Sequence, residues 1–406
     1  MIKKIKKKGI RKSLQLAYWH FINKIKRGYY YFFCLLPVRE ARIVFESEGD
    51  FSDNTRALYD YMKNEDYFSK YQAIWLVDDV EKVKQRENVI LVSKKGRKMR
   101  IRTAYYLATC GYYFYTHSNW LVNLKQRRKQ KIVNLTHGFG YKEAKGSKRT
   151  KFDALVVTGD IPAKELSRYN HCTLEKVQKL GYPRNDYFYS DLSEVKEKVE
   201  EKYRLKHYES RIIWMPTFRK SFNKAVSEDY FENETGLPIF ETKRELKDFD
   251  AFLKDKGILL ILKVHHLQAE LSVFKENYSN ILVLRDVELM EMDVQLNQIL
   301  PLTDGLITDY SSVSTDYMLL DKPIIYTLDD YEQYNASRGI WPPNAIDLMK
   351  GEHVYSVEEL GKAVLAIDKG EDIYRKERDK LVGQFHENLD GNASKRILKY
   401  AGIDKS

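Results

Sequence analysis

The chain has 406 residues, 43% hydrophobic and 31% charged, which is the make-up of a globular protein with room for two or three domains and excludes a disordered or fibrous one. Its three cysteines, Cys34, Cys110 and Cys172, are odd in number and far apart, so they make neither a disulfide framework nor a C-x-x-C metal site, and a reducing, cytosolic setting fits. The formal charge is +11, but residues 1 to 28 hold ten Lys and Arg and no acid, so the excess is local and does not signal a nucleic-acid partner.

Interleaved with those cations are Ile2, Ile5, Ile10, Leu14, Trp19, Phe21, Ile22 and Ile25, and YYYFFCLLPV follows at 29 to 38. A run of that length is too short to span a bilayer, which needs about 20 apolar residues, and no cleavage site of signal-peptide type follows it. Residues 1–40 therefore read as a basic amphipathic segment lying on an anionic membrane surface, where each cation is worth about 1 kcal/mol. Two further basic runs, at 94 to 102 and 125 to 131, read as solvated faces or as contacts for a polyanionic substrate.

Short β-rich runs then alternate with helical patterns, which predicts parallel sheets covered on both faces. The strand candidates of the first half are RIVFES, AIWLVD, VILVS, YYFYTH, KIVNLTHG, DALVVTG and KVQKLGY. The second half offers RIIWMPTF, ILLILKVHH, NILVLRD, GLITDYSS and KPIIYTLDD. A charged helical stretch at 185 to 211 suits a connector, so the boundary is placed near 200: a first Rossmann-like domain over 41–200 and a second over 201–406, closed by helices at 355 to 367 and 371 to 402. Two such α/β domains around a cleft describe a GT-B-type architecture.

In open parallel sheets ligands sit at the carboxyl ends of strands. Five polar clusters occupy that position: THG at 136 to 138, GYPRND at 181 to 186, MPTFR at 215 to 219, KVHH at 263 to 266 and TDYSS at 308 to 312. Gly138 permits a tight turn or a close backbone approach beside His137. Lys263 and His265 are two apart on an extended chain and share a face, whereas His266 points away, so the pair is not a metal site. Ser311 and Ser312 fall where a helix begins. They read either as an N-cap, with Asp316 complementing the helix dipole, or, with the free N–H groups, as a seat for a phosphate. Arg184 and Arg219 offer forked donors to phosphate oxygens. The motifs of dinucleotide dehydrogenases, P-loop ATPases and zincins are absent.

These clusters, together with VFESEGDFSDNTRALYDYM at 44 to 62 and the Arg338–Gly339 pair, resemble the CDP-glycerol glycerophosphotransferase family of teichoic-acid primases and polymerases, over roughly residues 38 to 385. The resemblance implies a peripheral enzyme of the cytoplasmic membrane face that moves glycerol phosphate or ribitol phosphate from a CDP-alditol onto a lipid-linked acceptor, releasing CMP. It implies that His137 and His265 are catalytic, and that Gly138, Lys142, Arg184, Pro216, Thr217, Lys263, Ser311, Ser312, Asp316 and Arg338 line the substrate site. The chain departs from the family pattern at Phe139 and Gly140, at His266 where proline is usual, and at IWPPNAIDL (340 to 348), a region expected to touch donor or acceptor.

In the mechanism this implies, His137 is the base for the acceptor hydroxyl, Lys263 and His265 offset charge on the leaving CMP, and Ser311 and Ser312 hold the diphosphate. No resident metal is assigned; divalent-cation assistance and self-association stay open. The competing readings are a GT-B glycosyltransferase using a nucleotide sugar for capsule or wall polysaccharide, and a catalytically silent scaffold that binds anionic polymers.

Overall fold

The computed structural model describes residues 27–97, 99–117, 119–122, 124–143, 151–217, 233–264, 268–269 and 271–405. Thirteen strands among them form two sheets: β1 (Arg39–Glu46), β2 (Gln72–Val77), β3 (Val89–Ser93), β4 (Cys110–Tyr115), β5 (Lys131–Asn134), β6 (Ala154–Val157) and β7 (Val177–Lys179) in the first, and β8 (Ser210–Trp214), β9 (Ile258–Leu262), β10 (Ile281–Val283), β11 (Gly305–Thr308), β12 (Ile324–Thr327) and β13 (Glu352–Val354) in the second. Their orders are β3-β2-β1-β4-β5-β6-β7 and β10-β9-β8-β11-β12-β13, and every pairing is parallel. Strands such as ILLIL of β9 are buried along their whole length, as a sheet covered on both faces requires.

Each sheet starts in its middle, runs to one edge, and then restarts beside its first strand. The order therefore reverses between β1 and β4 in the first domain and between β8 and β11 in the second. Crevices at such switch points, beyond the carboxyl ends of the strands, are where open α/β sheets bind ligands. All twelve expected strands are present. The thirteenth, β13, is three residues long and reads EHV, too short and too polar to stand out.

The chain passes from the first sheet to the second through the helix Ser193–Tyr203. Its last helix does not close the second domain as expected. The helix Ala393–Ala401 lies on the first, with Ile397, Leu398 and Ala401 in the same core as Phe45, Trp75 and Val156. Its apolar residues recur at i and i+4, which turns one stripe inward. Asp186 caps its start by accepting the Ala393 and Ser394 N–H groups, both at 2.8 Å, and Lys131 Nζ donates to the Tyr400 carbonyl at its end, 2.9 Å. The expected single helical stretch from 371 to 402 breaks after Phe385, where Glu387 N–H donates to Thr158 O, 2.8 Å, and brings the chain onto the first domain.

Residues 1–26 of the expected amphipathic segment lie outside the described residues. Residues 27–33 are helical, Tyr30 is buried, and its hydroxyl donates to Lys125 O at 2.9 Å. Tyr31, Phe32 and Leu35 point outward, Leu35 being 82% exposed. Among the described residues no helix is long and apolar enough to cross a membrane.

The crossing of the last helix generates a stability prediction. Leu398→Ala removes a fully buried side chain from the first domain's core and is expected to destabilise the protein by about 2–5 kcal/mol, read as a lower urea midpoint. An unchanged midpoint would mean that the terminal helix adds no stability where it lies.

Candidate active site

The first domain's contribution begins at the end of β5. Asn134 Oδ1 accepts the Thr136 N–H at 3.0 Å, Thr136 takes a left-handed φ of +55°, and Asn54 Nδ2 holds the Leu135 and Thr136 carbonyls at 3.1 and 3.0 Å. The chain then turns through His137 to Gly138, whose φ is +108°. A Cβ at 138 would stand 2.5 Å from Arg184 Nη2 and 2.9 Å from Ser312 Cβ, so a side chain has neither the conformation nor the space. Gly140 is equally confined: a Cβ there would lie 3.1 Å from both Ser312 N and Tyr310 O. The loop of residues 137–141 is thus pressed into the 310–312 turn of the second domain, and Tyr141 N–H donates to Tyr310 O across that contact, 3.1 Å.

Arg184 fixes this junction. Its Nε and Nη2 reach Asp316 at 2.9 and 2.6 Å, and its Nη1 reaches Asp53 at 2.7 Å and the His137 carbonyl at 2.9 Å. Asn185 Nδ2 donates to the other Asp316 oxygen at 3.2 Å, and Asp316 is 2% exposed. Burial works against the charge on Arg184, but Asp316 and Asp53 outweigh it and hold the guanidinium above its ordinary pKa. The expectation that Arg184 offers its fork to phosphate is therefore corrected: carboxylates from both domains occupy it. Asp316 stands in the first turn of the helix that follows Ser312, as expected, and its carboxylate grips this arginine.

His137 stands at the cleft with its ring accessible. Its ring stacks on that of His117, with centroids 4.2 Å apart and planes 22° from parallel. Enclosure by protein lowers its pKa below the ordinary 6.5, and His117, Arg184 and Lys142 lower it further, against an opposing pull from Asp53. The imidazole is neutral at pH 7 and can accept a proton.

In the second domain, Thr217 spans the switch point between β8 and β11. Its N–H and hydroxyl donate to the two oxygens of buried Asp309, at 2.8 and 2.5 Å. Pro216 precedes it in the loop after β8. Ser311 and Ser312 begin a helix of only five residues, Val313–Tyr317, and the Ser312 hydroxyl does not cap it. Both serines are partly exposed at the junction with Gly138 and Gly140. Lys263 Nζ pairs with Asp286 at 2.9 Å and also reaches Val264 O, 3.3 Å. Arg338 lies over the Tyr334 ring, and Lys142 forms an antiparallel bridge with Ile340.

The 340 to 348 loop clasps the two domains together. Trp341 N–H donates to Tyr141 O at 3.2 Å, its indole N–H meets Glu165, and the Arg168 guanidinium sits 3.8 Å over its ring. Tyr141 Oη in turn donates to Leu348 O, 3.3 Å.

His265 and Arg219 lie outside the described residues. Among the described residues no three His, Cys, Asp or Glu side chains converge on a metal site. Sequence reasoning missed Asp53, Asn54, Asp309 and His117 as members of the site. The signal for His117 was present, since YYFYTH ends next to the strand that carries His137.

A family model described as CDP-Glycerol:Poly(glycerophosphate) glycerophosphotransferase matches residues 29–401. The chain is 25% identical over 405 residues to the teichoic acid poly(ribitol-phosphate) polymerase of Bacillus spizizenii, covering 93% of this chain and 59% of that one. It is also 25% identical over 394 residues to the teichoic acid poly(glycerol phosphate) polymerase of Staphylococcus epidermidis, covering 89% and 50%. The chain thus spans between half and three fifths of the length of these two relatives. Among solved structures, a variant of the wall teichoic acid polymerase TagF superposes with a TM-score of 0.77 at 20% identity, covering 98% of each chain. A putative UDP-N-acetylglucosamine 2-epimerase from Listeria monocytogenes superposes with a TM-score of 0.51 at 10% identity, over 90% of this chain and 98% of that one. At such identities these superpositions speak for the fold alone.

Two substitutions test the junction. Arg184→Ala leaves two carboxylates facing each other without their cation and is expected to cost about 3–5 kcal/mol in urea unfolding; a loss below about 1 kcal/mol would mean the clamp is not what holds the domains. Gly138→Ala meets Arg184 and Ser312 at a strained φ, so its unfolding midpoint should fall and any turnover that depends on His137 should be lost; a fully active, stable variant would refute the packing.

Proposed function

Because a family model covers nearly its whole length, the chain belongs to the CDP-glycerol:poly(glycerophosphate) glycerophosphotransferase family, and we propose that it transfers glycerol phosphate or ribitol phosphate from a CDP-alditol to a lipid-linked acceptor in teichoic-acid or related cell-surface polymer synthesis. The observation that carries this reading is the junction itself, where the loop that bears His137 in one domain is pressed against the hydroxyl-rich turn of the other. A TagF structure obtained after soaking with CDPG supports the choice of donor class.

In the reaction, the acceptor hydroxyl oxygen bonds to the β-phosphorus of the donor while the bond from that phosphorus to the bridging oxygen breaks, and CMP departs with the electron pair. A hydroxyl is a poor nucleophile until its proton is removed, and the free nitrogen of His137 takes it. Ser311 and Ser312 would donate to the diphosphate from across the junction, with Lys142, Lys263 and Arg338 as the nearby cations. Little covalent chemistry falls to the protein, so positioning and charge do most of the catalysis. His265 would aid the leaving group and Arg219 would add a cation.

The acceptor is proposed to be reached at the cytoplasmic face of an anionic membrane. The basic residues 1–28 would supply charge there, and Tyr31, Phe32 and Leu35 apolar contact. Buried Tyr30 would anchor these residues to the first domain through Lys125.

The test is CMP release by the purified protein, offered CDP-glycerol and CDP-ribitol in turn with a lipid-linked acceptor and with His137→Ala as control. Release with one donor that vanishes in the variant supports the reading; silence with both, or release indifferent to the variant, refutes it. The depressed pKa of His137 adds a signed expectation. Protonation of this base should remove activity only below pH 6.5, so kcat/KM should not fall between pH 8 and 6.5 through this group, and a midpoint at or above 6.5 assigned to it would contradict its environment. Phe32→Asp with Leu35→Asp should weaken sedimentation with anionic vesicles, and full retention would remove those side chains from the membrane contact.

A further inference from the structure

His117 sits at the switch point of the first domain, just beyond the end of β4, and no sequence cluster singled it out. Adjacent strands β1, β4 and β5 each contribute one group to a row: Glu48, His117 and His137. Glu48 Oε2 lies 2.8 Å from His117 Nε2, and Thr116 Oγ1 lies 3.0 Å from its Nδ1. Because the Glu48 carboxylate only accepts, the contact requires the proton on Nε2, which leaves Nδ1 to accept from the Thr116 hydroxyl, so both ring nitrogens are occupied. His117 has no nitrogen left with which to take a substrate proton, and what it presents to the site is the face of its ring. That face lies against His137, 4.2 Å away.

We infer that His117 is a positioning residue for the reaction proposed above: clamped at both nitrogens, it fixes the plane of the His137 ring so that the reactive nitrogen meets the acceptor hydroxyl in one orientation. This rests on the phosphotransferase reading. An imidazole otherwise swings freely about its terminal torsion, which is broad and weakly restrained. The Arg184 clamp holds the His137 backbone through its carbonyl but leaves the ring unrestrained. Stacked imidazoles cannot pass a proton between their faces, so a relay through His117 is not implied. Other groups that act on this pair, namely Asp53, Arg184 and Lys142 around His137 and Glu46 and Lys94 on the His117 side, set charge and not ring orientation.

Two variants separate the ring from its hydrogen bonds. His117→Gln keeps polar contacts without a stacking face, and kcat should fall by about 10- to 100-fold, the scale on which a small misplacement of a catalytic group acts. KM for the CDP-alditol should stay within about twofold, because the diphosphate seat lies in the other domain. His117→Phe keeps the face without the polar contacts and should recover most of the loss. A general structural defect would lower both variants alike and shift KM with kcat. The inference is overturned if His117→Gln keeps its kcat within about twofold, or if Phe is no better than Gln. Histidine-labelled protein supplies a readout independent of turnover: the His137 ring resonances should move in His117→Gln and stay near their native positions in His117→Phe. Unmoved resonances in His117→Gln overturn the inference even if the wild type is silent with both CDP-alditols, an outcome that by itself counts against the phosphotransferase reading alone.

Discussion

The geometry of the site depends on one buried cation held by two anions that come from different domains. Arg184 meets Asp53 from the start of a first-domain helix and Asp316 from the short helix Val313–Tyr317 after β11, and it holds the His137 carbonyl with the same guanidinium. Removing Arg184 strands two carboxylates without their cation, which costs several kcal/mol, whereas the intact set is hydrogen-bonded throughout. The contact is therefore made or broken as a whole, and the two domains meet at this point in one way. A second interdomain knot lies at Asp293, which pairs with Arg56 and Arg86 and has a pKa lowered to about 2 by those arginines against the effect of burial. Asp293 remains partly open to water, so solvent screens that knot more, and the Arg184 clamp is the stronger constraint.

The clamp has an electrostatic consequence for the chemistry. Two carboxylates outnumber one guanidinium, so Arg184 with its two partners brings no net positive charge to the cleft. It still helps keep His137 neutral, which a base requires, but it cannot serve as the counter-charge of a diphosphate. In the proposed reaction that task would fall on other cations, such as Lys142 in the loop that follows His137 and Lys263, which pairs with half-exposed Asp286. The structure thus separates two jobs that a list of strand-end residues merges: holding the base in place and neutralising the substrate.

Much of the fold was legible because its strands are short, apolar and nearly uniform. ILLIL and AIWLV fit nothing but a covered sheet, while EHV of β13 carries no such mark. Helical patterning placed a helix within 371 to 402 but is blind to which core its apolar stripe joins, and the structure puts the last helix against the first domain. Within the site, His137, Gly138, Ser311 and Ser312 were legible from their positions after strands. Arg184 was placed correctly and given the wrong partner, because Asp53 and Asp316 lie more than a hundred residues away from it and no local pattern links them. His117 was passed over because its meaning comes from the pairing of β4 with β5, where Tyr115 faces Asn134 and the chains beyond them bring two rings together.

The remaining interdomain contacts show what kind of catalyst this arrangement suits. The chain ties its halves together through the Trp341 clasp, through the last helix lying on the first domain, and through Tyr141 bonded to the second domain at both its backbone and its hydroxyl. A wide opening of the cleft would have to break these ties together with a buried ion pair, so a large hinge motion at this junction is disfavoured. A transfer that gains mainly from holding a hydroxyl, a phosphorus atom and a base in line benefits from that rigidity, since reorganisation avoided at the moment of reaction is barrier height removed. The polar strand ends are thus anchored first to each other, while the His137 ring and the two serines stay accessible at the junction.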